Sequence, residues 1–355
     1  MNIWVLNSAF QRVGIIDSYT SLIWTTRYYE PGDFELYIGA DRNILKLIQE
    51  NDYLVREQDM TDNEYRNVMV IDKPNIEINT NIETGDYLIV TGKCLKSIVG
   101  RRVVINQTVM NGKLESCINR LLMENIINPV DAKRKINNFT FDNTTNFNLT
   151  LTMQATGDNL AELITQICKN YNLGWDVCIK NNKFVFYLYK GIDRSAEQNI
   201  NPVVMFSYEF DNILTSDYNE DMSNYANVAI VAGEGEGINR KKYETGDTTA
   251  SGLNRFETFV DARDMSTNEG GVSDAEYNTM LAEKGDEKLA ELQKIVSFEG
   301  EIDATKQYVL NKDFYMGDIV QVVNEYGVSK ATRIIEIIEA DDENETSVIP
   351  TFADF

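Results

Sequence analysis

The 355-residue chain contains no histidine. Ser-His-Asp triads, Cys-His dyads and histidine metal sites therefore cannot be built within it. Positive charge is scarce: 33 Lys and Arg stand against 56 Asp and Glu, for a net charge of −23. That balance lacks the basic footprint of a protein whose main task is to bind DNA or RNA. Cysteine is limited to Cys94, Cys117, Cys168 and Cys178, with no C-x-x-C pair, so neither a zinc ribbon nor a thioredoxin motif is encoded. All four are read as small buried hydrophobes. No stretch approaches ~18 consecutive apolar residues, which argues against a spanning helix. The start, MNIWVLNSAF, has no basic segment followed by an apolar one, so no secretory signal is expected. Synthesis in a reducing cytoplasm follows as the expectation.

What is present is a chain with 43% hydrophobic and 10% aromatic residues, enough for real cores, at a length that suggests two or three domains. The first hundred residues read as short strands, with a break at Pro31-Gly32 and a short helix over 41–50. Helical spacing follows over 113–127, and a second helix is capped by Asn159 and stopped at Gly174. GWDVCI and FVFYLYK then make a hairpin around 180–183. Strands return from Val203, interrupted by a helix from Ser273 to about Ser297, and resume as YVLNKDF, GDIVQVVN, ATRIIEIIE and SVIPTF. The expected domains are 1–97, 98–205 and 206–355, the last with a helical insertion near 273–297.

Two stretches look alike. NDYLVRE, RNVMVIDKPNIE and DYLIVTG near the start match GDIVQVVNEYG, ATRIIEIIEADDE and SVIPTF near the end, in strand order and turn character. Residues ~50–92 and ~315–353 are thus expected to fold as superimposable antiparallel units. The architecture is mixed α+β and β-rich: a small antiparallel barrel or sandwich occurring twice, flanking an α+β module.

No motif carries catalysis. GEGEG (Gly233, Gly235, Gly237) resembles a phosphate loop, but a helix does not follow and Glu234 and Glu236 would repel an anion, so a turn is expected. Glu339, Asp341, Asp342, Glu343 and Glu345 lack the alternation and central glycine of a calcium loop and read as a solvated hairpin tip. The clusters 133–135 and 240–242 read as surface charge. Trp24, Tyr28, Tyr29, Phe34 and Tyr37 suit a sugar-stacking platform, a subunit interface or core, with strand alternation placing at least half of them inside. No catalytic, cofactor or metal residues are assigned.

TRYYEPGDFELYI (26–38), VAGEGEGINR (231–240), LAEKGDEKLAE (281–291) and YMGDIVQVVNEYG with its following strands (315–352) together resemble the hub or tail-tip proteins of tailed bacteriophages, nearest the ReqiPepy-type siphophage tail proteins. The turn residues that match the family pattern are Pro31, Gly32, Asp33, Gly233, Gly235, Gly237, Gly317 and Asp318. The resemblance implies a non-enzymatic structural hub at the virion tail tip. It would be a homotrimer in which two tube-like β-domains per chain give a pseudo-sixfold ring. Implied partners are the distal tail protein or tail tube, the tape-measure protein, and tip, spike or receptor-binding proteins, with DNA only in transit. A chain ending just after the last β unit leaves any lysin or adhesin role to another polypeptide. A contractile-tail or bacteriocin hub, and a sugar-binding or polysaccharide-degrading tail protein, are the alternatives.

Overall fold

The computed structural model describes residues 1–77, 86–142, 144–213, 215, 217–267, 271–299, 302, 307–342 and 346–354. The N-terminal strands are β1 (Ile3–Leu6), β2 (Arg12–Ile16), β3 (Ser21–Arg27), β4 (Asp33–Gly39), β5 (Tyr53–Arg56), β6 (Glu64–Tyr65), β7 (Met69–Glu77) and β8 (Tyr87–Cys94), with helix α1 (Arg42–Leu47) before β5. Period-two burial builds them. In β4, Phe34, Leu36 and Ile38 point inward while Glu35 and Tyr37 are half-exposed.

The middle segment contains β9 (Thr108–Lys113), α2 (Leu114–Leu122), β10 (Phe139–Asp142), β11 (Thr150–Ala155), α3 (Leu160–Asn170), β12 (Gly174–Lys180) and β13 (Lys183–Tyr189). Asn159 caps α3 by accepting from the amides of Ala161 and Glu162, and Leu163, Ile164 and Ile167 bury its inner stripe. The helix ends before the position expected. Asn172 turns left-handed at φ 54, and Gly174 instead opens β12. Glycine is required there by close approach, because a Cβ would stand 2.4 Å from the Tyr28 ring. The β12–β13 turn uses Asn181 and Asn182 at φ 50 and 57, the left-handed pair that matches strand twist. Leu6, Tyr53, Val55 and Val70 share one core with α2, α3 and Trp175, so the N-terminal strands and the middle segment are packed as a unit.

The C-terminal part contains β14 (Met205–Ser207), β15 (Asp217–Asp221), β16 (Val228–Ala232), β17 (Lys242–Gly246), β18 (Glu257–Asp261), α4 (Asp274–Glu291), β19 (Ile295–Glu299), β20 (Ile319–Val323), β21 (Ser329–Asp342) and β22 (Thr346–Ala353). The Ser273–Glu276 capping box starts α4 as expected. The helix stops at Glu291 instead of continuing to about 297, because Ile295–Glu299 joins the main sheet between β15 and β22. Helix α4 also does not stand alone. It packs Tyr277, Leu281 and Leu289 on Ala229, Val231 and Val260 of the β17-β16-β18 sheet. YVLNKDF does not form the expected strand. Asn311 is left-handed at φ 63, Asp313 accepts from the Val309 amide at 2.8 Å, and Phe314 plugs the C-terminal core from a turn.

The main sheet runs β15-β19-β22-β21-β3-β4-β8-β7-β5-β1-β2, with β20 on the first half of β21 and β14 beyond it. Among the described residues no sheet closes into a barrel. The barrel alternative fails because β3 gives its outer edge to β21 over seven residue pairs, from Glu336–Arg27 to Asp342–Ser21, so β2 has no edge of β3 to close upon.

The duplication is explicit in the registers. Strands β3-β4-β8-β7-β5 and β15-β19-β22-β21-β20 have the same order and are antiparallel throughout. Tyr53 faces Val70 as Ile319 faces Arg333, and Thr91 faces Lys73 as Thr351 faces Glu336. The middle strand of each unit is bulged at the same step, between Ile71 and Lys73 and between Ile334 and Glu336. The entry turns match too, with Asn51 and Gly317 both left-handed, at φ 64 and 88. The units differ at the next strand, where β1 joins β5 antiparallel but β14 joins β20 parallel. Residues 78–85 and 343–345, with Glu343 and Glu345, lie outside the described residues.

Candidate functional site

The residues that carry polar chemistry gather where β3 meets β21. Arg27 sits at this seam with Nε 2.5 Å from Glu336 Oε2 and Nη1 2.6 Å from Asp33 Oδ2 and 3.0 Å from the Pro31 carbonyl. Gly32 fits because a Cβ there would stand 2.0 Å from the Thr25 carbonyl oxygen. Its amide donates to Cys94 Sγ at 3.1 Å, and its carbonyl accepts from the Cys94 amide at 2.9 Å. Pro31, Gly32 and Asp33 thus fold the chain back so that the turn into β4 holds Arg27 from one side and Glu336 of β21 from the other.

Tyr28 continues from Arg27 into a three-way joint. Its amide donates to the Ile335 carbonyl at 2.8 Å and its hydroxyl to the Asn172 carbonyl at 3.2 Å. Its ring meets Tyr189 edge-on, at 5.2 Å between centroids, and the buried Arg333 guanidinium lies 5.2 Å from its centre. Gly317, at φ 88, passes so close that a Cβ would stand 2.2 Å from the ring. Arg333 Nη1 donates to the Gly317 carbonyl at 2.7 Å. Asp318, 1% exposed, accepts from the Ile192 amide at 2.7 Å, Arg194 Nε at 2.8 Å and the Tyr315 amide at 3.0 Å. Lys96, also buried, donates to the carbonyls of Arg27, Tyr28 and Glu30 and lies 5.3 Å from the Trp175 ring centre. Burial lowers its pKa, against the opposing pull of Asp176.

Five of the eight turn residues named from sequence, Pro31, Gly32, Asp33, Gly317 and Asp318, therefore meet at one joint. Gly233, Gly235 and Gly237 do not join them. They form the loop after β16, where no helix starts until the 3-10 turn Gly237–Asn239, and Gly233 lies under the Tyr277 hydroxyl. The phosphate-loop resemblance has no helix N-terminus behind it.

The acidic cluster is a correction. Glu339, Asp341 and Asp342 are not a tip: β21 carries them against β3, and Glu343 and Glu345 lie outside the described residues. Glu339 reaches Arg56, which is 0% exposed, at 2.5 Å, and Arg56 also holds Asp59 at 2.5 Å while lying 5.0 Å from the Trp24 ring centre. Asp341 accepts from Tyr19 and pairs with the N-terminal ammonium at 3.4 Å. Burial pushes the Asp341 carboxyl up, but Thr346, Tyr19 and the ammonium outweigh it and the net shift is down. Sequence reading missed Arg56, Lys96 and Arg333. Their only signal was a cation placed inside an otherwise apolar strand or turn, as in YLVR and ATRII.

The aromatic cluster is mostly interior: Trp24, Tyr28 and Phe34 are buried, and Tyr29 and Tyr37 half-buried, so no stacking platform faces solvent there. The four cysteines are free thiols and buried. Burial raises Cys94 to about 11 and Cys178 to about 12, as suits packing groups. No helix of the described residues is long and apolar enough to cross a membrane. Across this joint every named polar group holds one segment of the chain to another.

The model of the siphovirus ReqiPepy6 Gp37-like protein family matches residues 2–354. The chain belongs to that family. Its fold is shared by solved phage tail proteins at low identity. The 43 kDa tail protein of prophage MuSo2 from Shewanella oneidensis superposes with a TM-score of 0.62 at 12% identity, covering 100% of this chain and 98% of that one. A tail protein from Neisseria meningitidis MC58 gives 0.59 at 12%, covering 99% and 96%. Prophage tail protein gp18 from Listeria monocytogenes gives 0.56 at 12%, covering 100% and 95%. No curated protein matches the chain. This ReqiPepy6 Gp37-like chain is a phage tail protein, and its structural joint is built from the same TRYYEPGDF and GD segments that carry the family resemblance.

Proposed function

We propose that this tail protein is the hub at the distal end of the tail. Three copies would form a ring in which each contributes two tube-like units, from 1–97 and 206–355, with 98–205 braced between them. Six similar units would then face a sixfold tail tube on one side and a threefold tip on the other. The observation that carries the reading is the register-for-register duplication of five strands, bulge included. Two equivalent units in one chain are what a threefold ring needs in order to mimic sixfold symmetry. The joint supports it as well, since Arg27, Tyr28, Lys96 and Arg333 fix the two units at one relative angle. The −23 charge of each copy fits a bore through which DNA slides without being held.

The partners in this reading are further copies of the chain, the tail tube or distal tail protein, the tape-measure protein, and tip or receptor-binding proteins. No catalytic step is assigned to the chain. The sugar-binding or polysaccharide-degrading alternative draws on the aromatic cluster and the abundant carboxylates, and burial of Trp24, Tyr28 and Phe34 removes the first of these supports. Imaging of assembled tails tests the proposal through the copy number and symmetry at the tail end.

A further inference from the structure

We propose that the outer edge of β7 docks the β15 strand of a second copy, and that a reversed pair of charges there decides which edges can meet. The setting rests on the ring reading above, while the geometry is that of the chain's own internal seam. Within the chain, the second half of β21 gives its edge to β3. By the strand-for-strand equivalence, β7 corresponds to β21 and β15 to β3. The contact equivalent to β21–β3 is thus β7–β15, and it is made between copies.

The registers say which residues meet. Glu336 opposes Arg27 across the inner seam, as an ion pair of 2.5 Å. Lys73 occupies the place of Glu336, since each directly follows the bulge and faces Thr91 or Thr351. In β3, Ile23 faces Glu35, and in β15, Asp217 faces Glu299, which puts Asp221 in the place of Arg27. A seam of the same geometry between copies sets Lys73 against Asp221. Complementarity is kept and the signs are exchanged. Lys73 is exposed, as are Asn219 and Glu220 beside Asp221.

The exchange of signs gives specificity through repulsion. A foreign β15 that invaded the inner seam would bring Asp221 against Glu336. A β3 offered to the outer edge would bring Arg27 against Lys73. Like charges directly opposite each other destabilise a strand pair, so each edge accepts only its own partner. Pro74 stands where Ile337 stands in β21, at a position whose amide faces the docking strand. The outer seam therefore has one ladder hydrogen bond fewer than the inner one. It is the weaker seam, which leaves side-chain charge a larger share in its selectivity.

The test is charge reversal in the full chain, read by sedimentation across concentration at low salt, with melting temperature as the check on folding. Lys73→Glu or Asp221→Lys alone is expected to weaken self-association about tenfold, and the two together to restore it to about the parent level. Single variants that associate like the parent, or a double variant as weak as either single, overturn the proposal. If the parent is monomeric in solution, oxidising Lys73→Cys/Asp221→Cys gives the decision. Covalent multimers are expected, well above the yield of Lys73→Cys/Glu220→Cys, whose second thiol points to the opposite face. Equal yields, or none from either, overturn it. A threefold ring in tails whose contacts ignore both residues defeats this inference alone, whereas tails without such a ring defeat the hub reading itself.

Discussion

Arg56 and Glu339, 283 positions apart in the chain, meet as a buried ion pair across the line where the two β units join. The guanidinium has no exposed surface, so it cannot return to water when Glu339 is lost. Asp59 still faces Arg56 at 2.5 Å, so Glu339→Ala is expected to destabilise the protein by about 1.5–3 kcal/mol, the scale of one hydrogen bond to a charged group. Replacing all three charges, as Arg56→Met with Asp59→Asn and Glu339→Leu, should recover most of that loss, because no buried charge is left unpaired. Urea unfolding checks both, and a triple variant no better than Glu339→Ala contradicts the assignment.

Gly317→Ala meets two obstacles at once, a left-handed backbone and the Tyr28 ring 2.2 Å from the new Cβ. A loss of about 2–4 kcal/mol is expected. Gly39→Ala, where nothing lies within 4 Å of the new carbon, serves as the control and should change stability by about 0.5 kcal/mol or less. Thermal melts of the two variants give the comparison.

Glu287 on α4 makes stability depend on pH. Burial raises its carboxyl pKa, and Lys284 at 3.0 Å offsets this only in part, with Asp158 and Glu291 adding to the rise. The folded state therefore holds this proton to higher pH than the unfolded chain does. The associated stability is present below the unfolded value of ~4.3 and is lost as pH climbs through the folded one. Glu287→Gln should raise stability at pH 7 by about 1 kcal/mol, with the gain shrinking toward pH 4. Denaturation at both pH values reads it, and a gain that is the same at each contradicts the cause.

Much of the fold was legible because local rules and packing agree. Period-two burial in DFELYIG, the Ser273–Glu276 box and the Asn181-Asn182 turn each specify their element locally. The repeat was legible because strand order and turn chemistry are both written in sequence. What failed depended on distant partners. Ile295–Glu299 reads as the end of a helix until β15 and β22 claim it as a strand. Glu339 and Asp341 look like a solvated tip until Arg56, Tyr19 and the N-terminus arrive from the other end of the chain. The joint around Tyr28 was half visible, since its glycines and Asp318 were identified while Lys96 and Arg333 were not.

Purified protein is expected to release nothing from host peptidoglycan or capsular polysaccharide. No histidine is available as a base, and the carboxylates at the seam are held by Arg27, Arg56 and Tyr19. Product release abolished by a single Asp or Glu substitution would contradict a purely structural role.

The most direct test of the central claim is a cryo-electron-microscopy reconstruction of assembled tails, calculated without imposed symmetry and focused on the distal end. The account predicts three copies of this chain in one ring, with the duplicated five-strand units, β3-β4-β8-β7-β5 and β15-β19-β22-β21-β20, alternating around six similar positions. Six copies in that ring, one unit per position, or no copy of the chain at the tail end would contradict it.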